Sequence, residues 1–184
     1  MLRMSKRGLV ITVAGPHGSG RTAQAMKLAE TFNLRYISTG TLFRERAQQL
    51  GVSLSELSKI AASDDTLDRF LDDRARLETR RGGAVLDATL SGLVAVDPDI
   101  RIYLTAPLDV RVRRIAEREK RSISEVEEET RHREKVEDER FRRYYGYDLK
   151  DLSIYDIVLN TAIADVDGVA NILKNVVEAY IGER

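Results

Sequence analysis

The chain has 184 residues, of which 42% are hydrophobic, and this is enough for one domain with a continuous core. Its 30 Lys and Arg residues balance 30 Asp and Glu residues, which argues against a protein drawn as a whole to nucleic acid or to anionic membranes. The lack of cysteine excludes disulfides, thiolate metal sites and cysteine nucleophiles, and two histidines are too few for a polyhistidine metal centre.

Short apolar runs alternate with helical patterns along the first half of the chain. Gly8–Ala14 is a β-branched run typical of a strand buried on both faces, too short to span a membrane and without a cleavage site, so we expect a cytoplasmic protein. A second strand is predicted over Arg35–Ile37. Helices are predicted over Thr22–Phe32, Phe43–Leu50, Leu54–Ala61 and Thr66–Thr79.

The second half continues the alternation and defines the fold class. Strands are predicted at Gly83–Leu86, Ile100–Leu104 and Asp156–Leu159, and an amphipathic helix carries apolar residues from Val166 to Tyr180. Strands alternating with helices predict an α/β fold, with three layers around a five-stranded parallel sheet.

One segment, residues 111–143, is dominated by charge. It contains four acid-then-base pairs at i,i+4, each worth about 0.3 to 0.5 kcal/mol to a helix. The pairs are Glu127/Arg131, Glu129/Arg133, Asp138/Arg142 and Glu139/Arg143. Two interpretations stay open: a solvated helical face, or a hinged lid whose arginines close over anionic substrates.

The segment GPHGSGRT follows the first predicted strand and opens a helix, which is the context of a phosphate loop. Its glycines let several N–H groups converge on one anion, and the start of the helix adds its positive dipole end. The Thr22 hydroxyl is placed to ligate magnesium, whereas we interpret His17 as an exposed loop residue without chemistry of its own. The predicted ATP-binding residues are Gly15, Pro16, His17, Gly18, Ser19, Gly20, Arg21, Thr22 and Ala23.

Position 21 departs from the pattern G-x-x-x-x-G-K-[ST], because Arg stands where Lys is usual. Arg keeps the charge, so triphosphate binding is expected. Its planar guanidinium is bulkier than an ammonium and directs its donors differently, so we expect the substitution to affect the catalytic rate more than nucleotide binding. A dinucleotide-binding fold is less favoured, since the glycine order is G-x-x-G-x-G and no acidic residue ends the second strand. A purely structural glycine-rich turn is less favoured still.

With the loop in place, the chain resembles the nucleoside monophosphate kinases, and specifically the archaeal-type cytidylate kinases, nearly from end to end. The segments that carry the resemblance are GPHGSGRT, STGTLFRE (38–45), the helix with Arg74, AVLDATLSG (84–92), the arginines of the charged segment and YYGYDLKDLSIYDIVLNT (144–161). The resemblance implies a P-loop NTPase-type fold with a core at 8–37, 83–110 and 154–184, a helical acceptor-binding region at about 38–80 and a lid at about 111–145.

The resemblance also implies an activity, the magnesium-dependent transfer of a phosphoryl group from ATP to CMP or dCMP by a monomer without nucleic-acid or membrane partners. Arg21, Arg131 and Arg133 would be catalytic, with Arg114 and Arg118 as further lid candidates. On the acceptor side, Arg44 would grip the acceptor phosphate, Thr39 would lie near the nucleotide, and Arg74 would be a second arginine. Asp87 would lie at this site too and orient magnesium through water.

The sequence departs from the family in two further segments. The third strand ends in Asp87-Ala88-Thr89 where acid-Gly-Arg is usual, and Thr41 stands where an acidic residue is common. Three hypotheses therefore stay open: an active cytidylate kinase, a nucleotide-binding or scaffold protein that has lost catalysis, and a kinase of another small acceptor. Nucleic-acid binding is least favoured, because acids interleave the basic residues of 111–143 and aromatics are few.

Overall fold

The computed structural model describes residues 8–53, 56–57 and 65–182. Its strands are β1 (Val10–Ala14), β2 (Arg35–Ser38), β3 (Ala84–Asp87), β4 (Ile100–Thr105) and β5 (Ile157–Asn160). Its helices are α1 (Arg21–Thr31), α2 (Thr39–Leu50), α3 (Thr66–Arg80), α4 (Ser91–Val94), α5 (Leu108–Glu119), α6 (Ile123–Tyr145) and α7 (Val166–Gly182). In this part of the chain, none of the helices combines the length and apolar character that crossing a bilayer requires.

The five strands form one parallel sheet in the order β2-β3-β1-β4-β5. This confirms the predicted α/β fold around a five-stranded parallel sheet. All strands end at the same edge, and β1 lies where the chain connections turn to opposite sides, which is where ligands bind in such sheets. The turn between β1 and α1, residues 15–20, is at this edge.

Some predicted helix bounds change because of local capping. Helix α2 begins at Thr39, before the predicted Phe43, since the Ser38 hydroxyl accepts a hydrogen bond from the Thr41 N–H at 3.0 Å and caps the helix. The four-residue α4 was not predicted. The predicted helix Leu54–Ala61 lies, apart from residues 56–57, outside the described residues.

Each face of the sheet carries its own core, as the alternation of strand side chains requires. On β3, Val85 faces one cluster, whereas Ala84 and Leu86 face the other. The first cluster joins the sheet to α1 and α7 through Ala25, Leu28, Val169, Leu173 and Val177. The second joins it to α2, α3, α4 and α6 through Leu42, Leu67, Leu71, Val94 and Phe141. The result is the predicted three-layer arrangement.

Helix α6 is anchored although most of its residues are charged. Val126, near its start, packs with Val112 and Ile115 of α5, and Phe141, near its end, joins the core under β3. Two of the four predicted pairs form, Glu127–Arg131 at 2.7 Å and Asp138–Arg142 at 3.4 Å. The other two were predicted wrongly, because their members find other partners. These contacts are Glu129–Arg121, Arg133–Glu137, Glu139–Lys135 and Arg143 over the Tyr144 ring.

Candidate functional site

The turn between β1 and α1 passes very close to neighbouring backbone. Gly15 has a φ of 141° and Gly18 a φ of 78°, both favourable to glycine. A Cβ on Gly15 would lie 2.1 Å from the Leu104 carbonyl oxygen, and one on Gly18 would lie 2.6 Å from that of Arg111. These two glycines therefore let the loop curl against β4 and α5, as its proposed role in phosphate binding needs.

A buried carboxylate closes one side of the loop. Asp87, at the end of β3, has a side chain only 3% exposed. Its Oδ1 accepts from Arg21 Nε at 2.5 Å, and its Oδ2 accepts from the hydroxyls of Thr22 and Tyr36, both at 2.8 Å. Burial and the nearby Asp87 carboxylate raise the pKa of Tyr36 to about 12, so Tyr36 remains a donor at neutral pH. The charge of Asp87 is thus compensated by three donors.

The Arg21 side chain reaches from the loop to the residue beyond β3. Besides Asp87, its Nη1 donates to the Gly15 carbonyl oxygen at 2.8 Å and to Thr89 Oγ1 at 3.1 Å. Arg21 and Thr89 are two of the positions where the sequence departs from the kinase patterns described above. They are in direct contact, although 68 residues separate them in sequence.

Two cavities open beside this group. The smaller, of about 220 Å³, lies between the loop and helices α5 and α6, and its lining includes Gly18, Gly20, Thr22, Arg118 and Thr130. The larger, of about 900 Å³, lies between α2, α3 and α6, and its lining includes Thr39, Asp68, Thr89, Arg140 and Tyr144. Four residues line both: His17, Arg21, Glu129 and Arg133. The cavities therefore meet at the loop.

Arg111 ties the loop to α5 and α6. It is buried, and it donates to the carbonyl oxygens of Ala106 at 3.1 Å and His17 at 2.9 Å. Its Nη1 also bonds the Glu134 carboxylate. The sequence prediction did not identify Arg111 as functional, because its partners lie in three different segments.

A second tie joins the side chain of His17 to that of Glu137. His17 Nε2 lies 3.0 Å from Glu137 Oε2, and the side chains are only 19% and 17% exposed. The prediction that His17 is an exposed loop residue is therefore wrong, whereas its assignment to no chemical role stays a prediction. The reason is that its partner is 120 residues away on α6, and no local pattern links them.

Burial alone would raise the pKa of Glu137. The hydrogen bond and charge of His17, with the charges of Arg133 and Arg140, lower it instead. Glu137 is thus held as a carboxylate at the junction of the loop and α6.

The back of the loop is held by the end of the sheet. Thr161, just after β5, donates its hydroxyl to the Ser19 carbonyl oxygen at 2.7 Å. The same hydroxyl accepts from Arg114 Nη1 at 2.8 Å. Arg114, a further lid candidate from the sequence, therefore lies behind the loop, whereas Arg118 lines the smaller cavity.

The predicted site residues divide into two groups. The first group lies at the cavities or at the loop. The residues that line one or both cavities are Pro16, His17, Gly18, Gly20, Arg21, Thr22, Ala23, Thr39 and Arg133. Asp87 contacts Arg21 and Thr22, and Gly15 and Ser19 are buried within the loop. Three arginines line neither cavity and are exposed: Arg131 pairs with Glu127, Arg44 donates to Thr41 at 3.0 Å, and Arg74 lies 3.9 Å from Glu78. The roles of all these residues stay predictions.

Comparison with known proteins identifies the family. The model of the cytidylate kinase-like family matches residues 77–163. The cytidylate kinase of Staphylothermus marinus is 45% identical over 95% of this chain and 99% of its own length, and that of Ignicoccus hospitalis is 42% identical over 90% and 96%. Shikimate kinase from Acinetobacter baumannii superimposes with a TM-score of 0.61 at 16% identity, covering 94% of both chains, and this likeness shows the fold. The resemblance read from the sequence is confirmed, and the chain belongs to the cytidylate kinase-like family.

Proposed function

We propose that the protein transfers the terminal phosphoryl group of ATP to CMP. The observation that carries this proposal is the meeting of two cavities at the phosphate loop, where Arg21 and Arg133 face both. A phosphoryl transfer needs two anionic substrates held in line with their charge neutralised, and little other covalent help from the protein. Two cavities that share cationic side chains suit that requirement.

The smaller cavity suits the phosphates of ATP. Loop N–H groups and the start of α1 surround it, and both attract anions. The Thr22 hydroxyl and the Asp87 carboxylate, which are hydrogen-bonded at 2.8 Å, are the hard oxygen ligands that magnesium prefers. Thr22 would hold the ion directly and Asp87 through water, and the ion would neutralise charge on the phosphates. No cluster of three or more His, Asp or Glu side chains suited to a metal lies in the described residues, so phosphate oxygens would supply further ligands.

The larger cavity suits the acceptor nucleotide. Its volume of about 900 Å³ falls in the range of small-molecule sites. Cytosine offers an amino donor beside acceptor atoms, and the cavity offers carboxylates at Asp68 and Asp72 beside the guanidinium of Arg140. Burial raises the pKa of both carboxyls, opposed at Asp68 by Arg140 and at Asp72 by the Tyr145 hydroxyl. These groups support recognition of a base with mixed donors and acceptors.

The reaction then follows from placement. A phosphate oxygen of CMP attacks the terminal phosphorus of ATP, the bond from that phosphorus to the bridging oxygen breaks, and ADP leaves as CDP forms. Arg21 and Arg133 neutralise the charge in transit. Helices α5 and α6 cover the smaller cavity and limit the entry of water, which would otherwise accept the phosphoryl group. The monomeric state, the cytoplasmic location and the lack of nucleic-acid or membrane partners stay predictions.

The test is to supply magnesium-ATP with CMP, dCMP, UMP, AMP or GMP in separate reactions and to follow ADP formation. We expect turnover with CMP above an acceptor-free control, and its loss both in Arg21→Ala and when magnesium is chelated. Nucleotide binding without turnover on any acceptor would overturn the proposal and favour a protein that has lost catalysis. Turnover only with another acceptor would keep the kinase and reject CMP.

A further inference from the structure

The Arg21 side chain extends beyond the phosphate loop to a second segment of the chain. It is the first residue of α1, yet its guanidinium contacts the loop at Gly15 and the segment after β3 at Thr89. Gly15 belongs to the phosphate loop, whereas Thr89 lines the larger cavity. The side chain therefore spans the boundary between the donor and acceptor sides.

Its three protein partners fix the plane of the guanidinium. Nε bonds Asp87, and Nη1 bonds both Gly15 and Thr89, so these bonds use three of the five N–H donors of an arginine. The Nη2 amino group takes no part in these three bonds. Because the fork is rigid, fixing Nε and Nη1 also fixes the direction of Nη2.

A lysine at position 21 cannot reproduce this arrangement. Its ammonium is a point charge, without a planar fork to reach Asp87 and Thr89 from two nitrogens at once. The small side chain of Thr89 is equally necessary, since its hydroxyl accepts from Nη1 at 3.1 Å, and a second cation there would repel the first. Position 89 is half-buried beside the larger cavity, so Arg21 supplies positive charge to a place where Thr89 has none.

We propose that Arg21 serves both substrates, contacting the phosphates of ATP at the loop and the phosphate of CMP on the side of the larger cavity. Thr89 is the positioning residue that directs the guanidinium towards the acceptor. This inference rests on the proposed function. The departures from the family pattern at positions 21 and 89 are then coupled, because the single guanidinium of Arg21 takes the place of two cations, one on the ATP side and one on the CMP side.

The test is a double-mutant cycle of four proteins: wild type, Arg21→Lys, Thr89→Arg and the double variant. In Arg21→Lys we expect the KM for CMP to rise about tenfold while the KM for ATP changes less than about threefold, because charge stays at the loop and reach is lost. Thr89→Arg should lower kcat/KM for CMP about tenfold in the wild-type background and raise it in the Arg21→Lys background. If Thr89→Arg changes kcat/KM for CMP by the same factor in both backgrounds, the two residues are not coupled and the inference is overturned.

Two further variants separate positioning from folding. Thr89→Val keeps the volume and removes the hydroxyl, so it should raise the KM for CMP several-fold with little change in that for ATP or in thermal stability. Thr89→Ser keeps the hydroxyl and should retain more of the affinity for CMP than Thr89→Val does. Equal KM values for CMP in the Ser and Val variants would remove Thr89 from the proposed role.

Failure of the inference is distinguishable from failure of the proposed function. An active wild type with an additive cycle rejects only the inference. If the wild type binds CMP without turning it over, the proposed function fails, and CMP dissociation constants measured by calorimetry in the same four proteins decide the role of Arg21. A wild type that binds ATP but no CMP overturns both.

Discussion

The phosphate loop and helix α6 both present charge to the candidate site, but they hold it in different ways. At the loop, the Asp87 carboxylate is buried and takes hydrogen bonds from three side chains, while Gly15 and Gly18 allow the backbone to pass against β4 and α5. On α6, Arg131 and Arg142 are exposed; Arg131 pairs within the helix, and Arg142 pairs with Asp138 of the helix and with Asp148 just beyond it. The loop therefore holds its charge by close, buried contacts, whereas α6 holds much of its charge in ion pairs exposed to solvent.

This difference decides what a mutation should do. Exposed pairs are weak because water and salt screen them, whereas a buried carboxylate or a tight backbone approach leaves no room for solvent to compensate. Several bonds between α6 and other parts of the chain, among them Arg111–Glu134, His17–Glu137 and Arg140–Asp68, are partly buried and lie between these limits of exposure. Changes at the loop should therefore alter folding and binding together, while changes on the outer side of α6 should separate them.

Gly15→Ala should have the largest effect on stability. The new Cβ would lie 2.1 Å from the Leu104 carbonyl oxygen, and a φ of 141° is strained for any other residue. We expect a loss of about 3 kcal/mol or more in the free energy of unfolding, and the loss of ATP binding. Denaturant unfolding and calorimetric titration with ATP measure the two effects.

Gly51→Ala is the matched control for that variant. Gly51 also has a positive φ, 66°, but a Cβ there meets nothing within 4 Å. Only the backbone cost of about 1 kcal/mol is expected, with ATP binding retained. If the two alanine variants are equally destabilised, backbone strain alone explains both losses, and the close approach of the loop to β4 does not contribute to the effect of Gly15→Ala.

The sequence predicted the features that depend on local pattern. The five strands, the loop glycines and the start of α1 follow from short apolar runs and from glycine spacing, which neighbouring residues specify. The proximity of Thr22 and Asp87 agrees with the resemblance to a family. The sequence missed contacts between distant segments, such as His17 with Glu137, because charge at i,i+4 spacing says nothing about a partner 120 residues away.

Glu137→Gln should have an intermediate effect that depends on pH. His17, Arg133 and Arg140 face the carboxylate and, against the effect of burial, lower its pKa, while Asp68 is a nearby like charge. Because the folded pKa is below the unfolded value of about 4.3, the carboxylate stabilises the fold above that pH and loses this contribution as pH falls through the folded pKa. We expect the variant to lose about 1.5 kcal/mol at pH 7.

Thermal unfolding from pH 7 to pH 3 measures this difference. The gap between wild type and Glu137→Gln should shrink as the pH falls below about 4, since the wild-type carboxyl is then protonated as well. Glu139→Gln is the control on the same helix, because Glu139 is exposed and lies 4.0 Å from Lys135. A gap that is the same at both ends of the pH range would assign the effect to packing.

Arg131→Gln should have the smallest effect on stability. The Arg131 side chain is 62% exposed, and its 2.7 Å pair with Glu127 is solvated, so we expect less than about 0.5 kcal/mol. Arg113→Gln is the matched control, since Arg113 forms an exposed i,i+4 pair with Asp109 at the same 2.7 Å. Thermal unfolding should not distinguish the two variants.

Turnover should distinguish them, because the resemblance implies that Arg131 neutralises the phosphoryl group whereas Arg113 has no such role. Arg131 lines neither cavity in this structure, so that role requires the side chain to leave Glu127 when substrates bind. We expect kcat to fall about tenfold or more in Arg131→Gln and to stay unchanged in Arg113→Gln. Equal kcat values would remove Arg131 from catalysis and leave Arg133, which faces both cavities, as the arginine of α6 that acts on the phosphates.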